Sequence, residues 1–210
     1  MPGLIRGLDP EVIRANLERM RERIGGEVEI LVATKYVPED EMGTLAEAGV
    51  ELVGENRLQD LERKRSEWAD AFTWDFIGNL QSRKVKDVLP LVRLIHSVCT
   101  DSVLRQLERH AEPETEILVE VNVAGEEGKA GVAPADLGAF IARCPVKVVG
   151  LMTMPPFTQD PEASRPAFAA LRELAQEHGL HHLSMGTSQD YRVAAEEGAT
   201  IVRLGTSLYA

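Results

Sequence analysis

The 210-residue sequence has few cysteines and no long apolar run. Its two cysteines, Cys99 and Cys144, are too few for a disulfide framework and lack the spacing of metal ligands. No apolar run approaches the roughly 20 residues that cross a bilayer, and the opening residues, MPGLIRGLDPEV, lack the apolar segment of a secretory signal. We therefore expect a protein of the reducing cytoplasm, with no membrane contact and no bound metal.

Basic side chains are also in short supply. The sequence holds 23 Lys and Arg against 34 Asp and Glu, a formal net charge of −11. A field of this sign argues against nucleic acid as a partner, although a local basic pocket could still hold a small phosphate. The hydrophobic fraction of 44% is that of an ordinary globular protein. The length predicts one domain, residues 1–210.

Short apolar runs rich in β-branched residues alternate along the chain with segments of helical spacing. The predicted strands are residues 29–34, 51–54, 73–78, 92–98, 116–123, 146–152, 181–185 and 199–205. The predicted helices are residues 10–24, 38–48, 57–70, 82–90, 101–111, 134–142, 161–178 and 189–197.

This alternation predicts an α/β protein with a parallel sheet and crossover helices. Eight units favour closure into a single (β/α)8 TIM barrel. The helix at 10–24 precedes the first strand, so we expect it to complete the outer ring after the eighth strand. An open doubly wound sheet is the alternative, but it usually has fewer strands.

Two glycine-containing turns follow the last two predicted strands, where barrel enzymes frequently bind phosphate. One is Gly186-Thr187-Ser188, and the other begins at Gly205 and Thr206. Hydroxyls and free backbone N–H groups at such turns can hold an anion, and glycine allows its close approach. Either turn taken alone could be only a helix cap.

A lysine, Lys35, follows the first predicted strand, EILVAT. A lysine near a phosphate pocket suggests a phosphorylated aldehyde held as an imine, because a neutral amine is nucleophilic. Partial burial or a nearby cation would favour that neutral amine, and Arg203 on the neighbouring eighth strand could supply the cation. The structural alternative is that Lys35 ends a strand and extends into water.

The order of several motifs along the chain resembles one known family. The motifs are LVATKY, GENRLQD, WDFIGNLQSRK, EILVEVNVAGEEGKAGV, VVGLMTM, MGTSQDY and ATIVRLGTSLY, from about Ile30 to Tyr209. They are similar to those of the pyridoxal phosphate homeostasis proteins of the YggS/PROSC type. These proteins are single-domain relatives of the alanine racemase barrel, of fold type III.

The resemblance implies a cofactor, pyridoxal 5′-phosphate, held as an aldimine on Lys35 with Asn56 beside it. Ser188 with Thr187, and Gly205 with Thr206, would hold its phosphate. Arg203 would face the pyridine nitrogen and keep it unprotonated, which weakens the ring as an electron sink. The family more often has GMS where this chain has Gly186-Thr187-Ser188, and QSNK where it has QSRK.

The resemblance further implies a carrier that buffers or delivers the cofactor, with no catalytic residue and no sustained turnover. Transient contact with apoenzymes that require the cofactor follows from that role. The alternative is an amino-acid racemase or related fold-type III enzyme, which we disfavour because racemases add a second domain. Since that domain supplies their dimer interface, we expect a monomer. A phosphate-binding barrel that takes no aldehyde is a third possibility.

Several polar features are more typical of structure than of function. His181 and His182 are adjacent on a predicted strand and so cannot share a metal. His96 on the fourth strand is expected to pack inside the barrel. The charge run ERKRSE, residues 62–67, is typical of a solvated helix face. Lys129, in a glycine-rich loop, is a weak candidate for a second cofactor site.

Overall fold

The structure, a computed structural model, describes residues 3–25 and 27–209. Met1, Pro2, Gly26 and Ala210, which the predicted domain 1–210 includes, lie outside the described residues. Eight parallel strands close into a barrel in chain order, which confirms the predicted (β/α)8 fold. The strands are β1 (Glu29–Ala33), β2 (Leu52–Glu55), β3 (Thr73–Phe76), β4 (Leu94–Val98), β5 (Glu116–Glu120), β6 (Lys147–Met152), β7 (His182–Thr187) and β8 (Ile201–Leu204).

Eight α-helices accompany the strands in the described part of the chain. They are α1 (Pro10–Ile24), α2 (Met42–Glu47), α3 (Leu58–Trp68), α4 (Val85–Val88), α5 (Asp101–His110), α6 (Leu137–Ile141), α7 (Arg165–Glu177) and α8 (Tyr191–Glu196). The short helices α2, α4 and α6 are each preceded by a 3-10 turn, at 39–41, 82–84 and 134–136. No helix among residues 3–25 and 27–209 is long and apolar enough to span a bilayer.

The barrel closes through the pairing of its first and last strands. Leu31 of β1 lies opposite Arg203 of β8 in a parallel register. The first helix, α1, fills the outer ring at this seam, where it contacts α2 and α8. The amide of Asn16 on α1 donates a hydrogen bond of 3.0 Å to the carbonyl of Leu208, just beyond β8. The expectation that helix 10–24 completes the ring is therefore confirmed.

The apolar core forms two layers, one on each side of the strands. A small interior cluster fills part of the barrel: Leu31, Leu52, Leu94, Leu118, Met152 and Ile201. A much larger cluster lies between the outer faces of the strands and the helices. Asp75, His96, Ser184 and Arg203 are also buried, so the barrel contains polar groups as well as an apolar core.

Besides the helices that open with a 3-10 turn at 39–41, 82–84 and 134–136, two predicted helix starts differ from the structure. A 3-10 turn occupies 161–164 and α7 begins at Arg165, because Pro166 is tolerated only in a first helical turn. The last helix begins at Tyr191 rather than near Gln189. The side chain of Asp190 binds the backbone N–H of Thr187 at 2.7 Å, which holds the preceding residues in a turn.

The packing of α1 generates a stability prediction. Leu17→Ala should lower the free energy of unfolding by about 2–5 kcal/mol, because the Leu17 side chain is buried against the barrel. Val12→Ala, on the exposed side of the same helix, should change it by less than about 0.5 kcal/mol. Urea unfolding followed by circular dichroism measures both, and equal losses would show that α1 is not part of the packed ring.

Candidate functional site

Lys35 lies in a tight turn directly after β1. The backbone N–H of Val37 donates to the carbonyl of Thr34 at 2.8 Å, so Lys35 is the second residue of a four-residue turn. The lysine is exposed, and its ammonium nitrogen lies 4.9 Å from the centre of the Tyr36 ring. The partial burial considered from the sequence is therefore not found. The turn instead presents a solvent-accessible amine at the carboxyl edge of the barrel.

Asn56 directly follows β2, the strand next to β1. Its position depends on Gly78, a glycine in the loop that follows β3. A Cβ added to Gly78 would lie 2.2 Å from the carbonyl oxygen of Asn56, so only glycine allows these two backbones to approach. The hydroxyl of Ser97 on β4 in turn binds the carbonyl of Gly78. These contacts join the GEN and FIG segments at the carboxyl edge of the barrel.

The two glycine turns after β7 and β8 meet at the hydroxyl of Ser188. Its Oγ accepts from the backbone N–H of Gly205 at 3.2 Å and of Ser207 at 3.5 Å, and from the Ser207 hydroxyl at 2.8 Å. We call this group of donors, on Ser188, Gly205 and Ser207, the donor cluster. Ser207 is an addition that the sequence reasoning missed, although its position next to Thr206 was a usable signal.

The other residues of the two turns are placed differently. The hydroxyl of Thr187 donates to Asp190 at 3.1 Å, within its own turn. Thr206 is exposed, and Gly205 is half-buried. Gly186 has φ of 89°, and a Cβ there would lie 2.5 Å from the Cβ of Ala194. Glycine is therefore required at the first position of the GTS turn.

Arg203 projects into the barrel interior and is 7% exposed. Its Nη1 donates to the carbonyl of Ser184 at 2.7 Å and to the Ser184 hydroxyl at 2.6 Å, and its Nη2 donates to the carbonyl of Thr153 at 2.9 Å. Among the described residues, no carboxylate forms an ion pair with this guanidinium. Burial lowers the pKa of Arg203 to about 10, against the opposing charges of Glu120 and Asp190, so the side chain remains a cation at neutral pH.

A chain of polar side chains runs from Arg203 through the barrel interior. His96 places Nδ1 2.9 Å from the hydroxyl of Ser184 and Nε2 3.0 Å from Asp75. Arg93 binds Asp75 through Nη2 at 2.7 Å and through Nε at 3.0 Å. It also reaches Glu29 at the start of β1, with Nη1 at 2.9 Å. The packing role expected for His96 is therefore accompanied by two hydrogen bonds.

The protonation states along this chain follow from its partners. Burial alone would raise the pKa of Asp75, but hydrogen bonds from His96 and Arg93 outweigh it and hold the pKa below its usual value. Burial lowers the pKa of His96, and Asp75 only partly offsets this. We therefore assign a neutral imidazole with the proton on Nε2, which leaves Nδ1 to accept from Ser184.

The charge run 62–67 is not wholly solvated, which corrects the expectation from the sequence. Lys64 is 2% exposed and forms an ion pair with Glu55, which is 0% exposed. The reason is helical spacing, since Lys64 follows Leu58 and Leu61 at intervals of three on the buried face of α3. The Lys64 ammonium also donates to the carbonyl of Thr34 at 2.7 Å.

The loop that carries Lys129 is held by its own residues. The Lys129 ammonium pairs with Glu126 at 2.6 Å and is exposed. The amide of Asn122 donates to the carbonyl of Glu126 at 2.9 Å. No group of three or more potential ligands for a metal ion occurs in the described ranges.

The arrangement suits a phosphorylated aromatic aldehyde. The donor cluster gathers two backbone N–H groups and two hydroxyls at one point; the Ser188 Oγ accepts from both N–H groups in this structure, and its own hydroxyl proton is left for an anion. The buried guanidinium of Arg203 can donate to an unprotonated ring nitrogen, and Lys35 supplies an accessible amine. Lys35 follows β1 and Arg203 lies on β8. Because these two strands are paired, the two residues lie on neighbouring strands of the barrel although they are far apart in the sequence.

Comparison with known proteins first defines a class. The family model for the alanine racemase N-terminal domain matches residues 8–210. The alanine racemase of Corynebacterium glutamicum superposes with a TM-score of 0.75 at 15% identity, over 96% of this chain and 61% of that chain. That identity shows the shared fold alone.

The particular family follows from more similar relatives. A pyridoxal phosphate homeostasis protein of Aquifex aeolicus is 42% identical over 92% of this chain and 93% of its own length. The structure of PipY from Synechococcus elongatus PCC7942 without PLP has a TM-score of 0.85 at 31% identity, over 94% of this chain and 100% of that chain. The structure of the same protein with PLP bound has a TM-score of 0.82 at 29% sequence identity. The chain belongs to the pyridoxal phosphate homeostasis protein family, which confirms the resemblance of its motifs.

The assignment of His96 generates a pH prediction. An unfolded histidine takes up a proton near pH ~6.5, whereas burial holds the folded pKa of His96 lower. At low pH the unfolded state then binds more protons than the folded state. The contribution of His96 to the free energy of unfolding should therefore be complete above pH ~6.5 and should fall as the pH drops below that value.

His96→Gln should reduce this loss, because glutamine can donate and accept but does not titrate. Free energies of unfolding between pH ~7.5 and ~5.5, above the ordinary range of Asp, measure the slope. His110→Gln, on the exposed end of α5, is the control and should keep the original slope. An unchanged slope in His96→Gln would contradict the assignment.

Proposed function

We propose that this protein binds pyridoxal 5′-phosphate and holds it covalently on Lys35, as part of intracellular homeostasis of the cofactor. The donor cluster around Ser188 is the observation that carries the proposal, because it supplies a phosphate site one strand away from an accessible lysine. The name of the Aquifex relative and the PLP-bound PipY structure support the same ligand.

In this proposal Ser188, Gly205 and Ser207 bind the phosphate, with Thr187 and Thr206 at the edges of the two turns. Asn56 lies beside the ring. The Lys35 amine adds to the aldehyde carbon and forms a C=N bond, and the aldehyde oxygen leaves as water. The bound cofactor supplies a reactive aldehyde, and this chain's residues restrict where that aldehyde can react.

The role proposed for Arg203 favours storage over catalysis. A guanidinium retains its proton at neutral pH, so it donates to the ring nitrogen and does not protonate it. An unprotonated ring withdraws electrons weakly and stabilises a substrate carbanion poorly. The neutral His96 and the hydroxyl of Ser184 hold the guanidinium in that orientation.

A carrier without sustained turnover is the function we propose. The alternative is an amino-acid racemase, favoured only by the shared fold. Incubation with amino acids in deuterated water distinguishes the two, because a racemase exchanges the α-hydrogen and a carrier does not.

For the carrier we propose a monomer in the cytoplasm, a single barrel domain over residues 1–210, and transient contact with apoenzymes that take up the cofactor.

Removal of Lys35 should abolish the covalent link. Lys35→Ala should eliminate the visible absorption of the imine and the borohydride-stable adduct, because the other ammonium at the end of β1, that of Lys64, is buried in an ion pair with Glu55. Its melting temperature should stay unchanged, since the side chain is exposed. The exposed Lys86→Ala is the control and should keep the adduct. Retention of the full imine band in Lys35→Ala would show that the lysine was assigned wrongly.

Removal of the Ser188 hydroxyl should weaken retention without preventing the imine. Ser188→Ala should raise the Kd of the cofactor about tenfold, the effect of losing one hydrogen bond to a charged group. Equilibrium dialysis measures the Kd, and borohydride trapping on Lys35 shows that the imine still forms. Ser66→Ala on α3 is the control, and an equal Kd in both variants would argue against the donor cluster as the phosphate site.

A further inference from the structure

We propose that the buried pair Lys64 and Glu55 positions Lys35 for reaction with the cofactor aldehyde. The inference rests on the proposed function, since it concerns the same lysine. Glu55 ends β2 and Lys64 lies on α3, so they would act through Thr34, the residue after β1, as positioning residues.

The polar groups of Thr34 are all bonded to β2, to α3 or within its own turn. Its backbone N–H donates to the carbonyl of Gly54 at 3.1 Å, and its hydroxyl donates to Glu55 at 2.6 Å. Its carbonyl accepts from the Lys64 ammonium at 2.7 Å and from the N–H of Val37 at 2.8 Å. Thr34 is the first residue of the turn and Lys35 the second. The pair therefore fixes the residue that directly precedes Lys35.

A stabilising role alone accounts poorly for this pair. Taking two charges out of water is costly, and well-packed apolar residues of similar volume often stabilise a protein as well or better. The second oxygen of Glu55, Oε2, is buried without a hydrogen-bond partner in the described part of the chain, which adds to the cost. What apolar residues could not supply is the N–H donor to the Thr34 carbonyl.

The end of β1 is also held by a second side chain. The hydroxyl of Tyr209 donates to the carbonyl of Ala33 at 3.3 Å. Burial raises the pKa of Tyr209, with a further contribution from the charge of Glu55, so the phenol keeps its proton and remains a donor. Two successive carbonyls before Lys35, those of Ala33 and Thr34, thus accept from the side chains of Tyr209 and Lys64.

The donor cluster does not share these contacts. Ser188 and Ser207 follow β7 and β8, and no hydrogen bond joins them to Lys64 or Glu55 among the described residues. Loss of the pair should therefore displace the amine and leave phosphate recognition unchanged. This separation makes the positioning role measurable apart from binding.

The test compares Lys64→Met, Glu55→Gln and the double variant with the unaltered protein. The rate of growth of the imine band after addition of pyridoxal 5′-phosphate reports on the amine. The affinity for pyridoxine 5′-phosphate, which has the ring and phosphate but no aldehyde, reports on the rest of the site. Thermal unfolding reports on stability, and Lys147→Met, which removes an exposed lysine paired with Glu116, is the control.

Lys64→Met should slow imine formation ~10- to 100-fold, the size expected when a reacting group is displaced by about 1 Å. Its affinity for pyridoxine 5′-phosphate should be unchanged. Its melting temperature should fall, because Glu55 is left as an unpaired buried charge. The double variant removes both charges and should recover stability while imine formation stays slow.

Two results would overturn the proposal. Recovery of the imine rate together with stability in the double variant would show that the pair only stabilises the fold. An equal loss of affinity for pyridoxine 5′-phosphate would show that the pair supports the whole pocket. Failure of the proposed function itself is distinguishable, since it would appear as an imine that survives Lys35→Ala. If Lys64→Met does not fold, the double variant alone decides.

Discussion

The buried guanidinium of Arg203 is the constraint around which the barrel interior is arranged. A cation removed from water must be satisfied by hydrogen bonds or by an opposite charge. Here the acceptors are the carbonyls of Ser184 and Thr153 and the Ser184 hydroxyl, all neutral. A second cation beside them would be repelled, which is consistent with a neutral His96. Asp75 then bonds His96 on its far side, and the polar chain continues to the opposite edge of the barrel.

The proposed site assigns different tasks to different strands. Lys35 after β1 provides the amine, the turns around Ser188 and Gly205 provide the anion donors, and Arg203 faces the ring. These groups lie on loops and strand ends held by a closed sheet, an arrangement that allows precise placement without a rigid loop. Lys64 lies outside the barrel wall, so the support of the amine is separated from the ligand-binding interior.

Much of the fold could be predicted because each βα unit carries its own local pattern. The strand-end residues Lys35, Ser188 and Arg203 could be selected for the same reason, since parallel strands bring their carboxyl ends to one edge. Pro166 was a local signal for the start of α7 that the prediction did not use. Lys64 was missed because a run of charges outweighed its spacing from Leu61. The link from His96 to Ser184 could not be predicted, because it joins strands across the barrel whose relative height depends on register.

The pairing of β1 with β8 has a consequence for the order of folding. It joins the two strands that are farthest apart in the sequence. Closing so long a loop lowers the entropy of the chain before the strand pairing can contribute any stabilisation. We expect this seam to form late, after neighbouring units have docked. The amine and the anion donors lie on opposite sides of the seam, so neither half of the chain can assemble a complete site. Capture of the ligand would then report that the ring has closed.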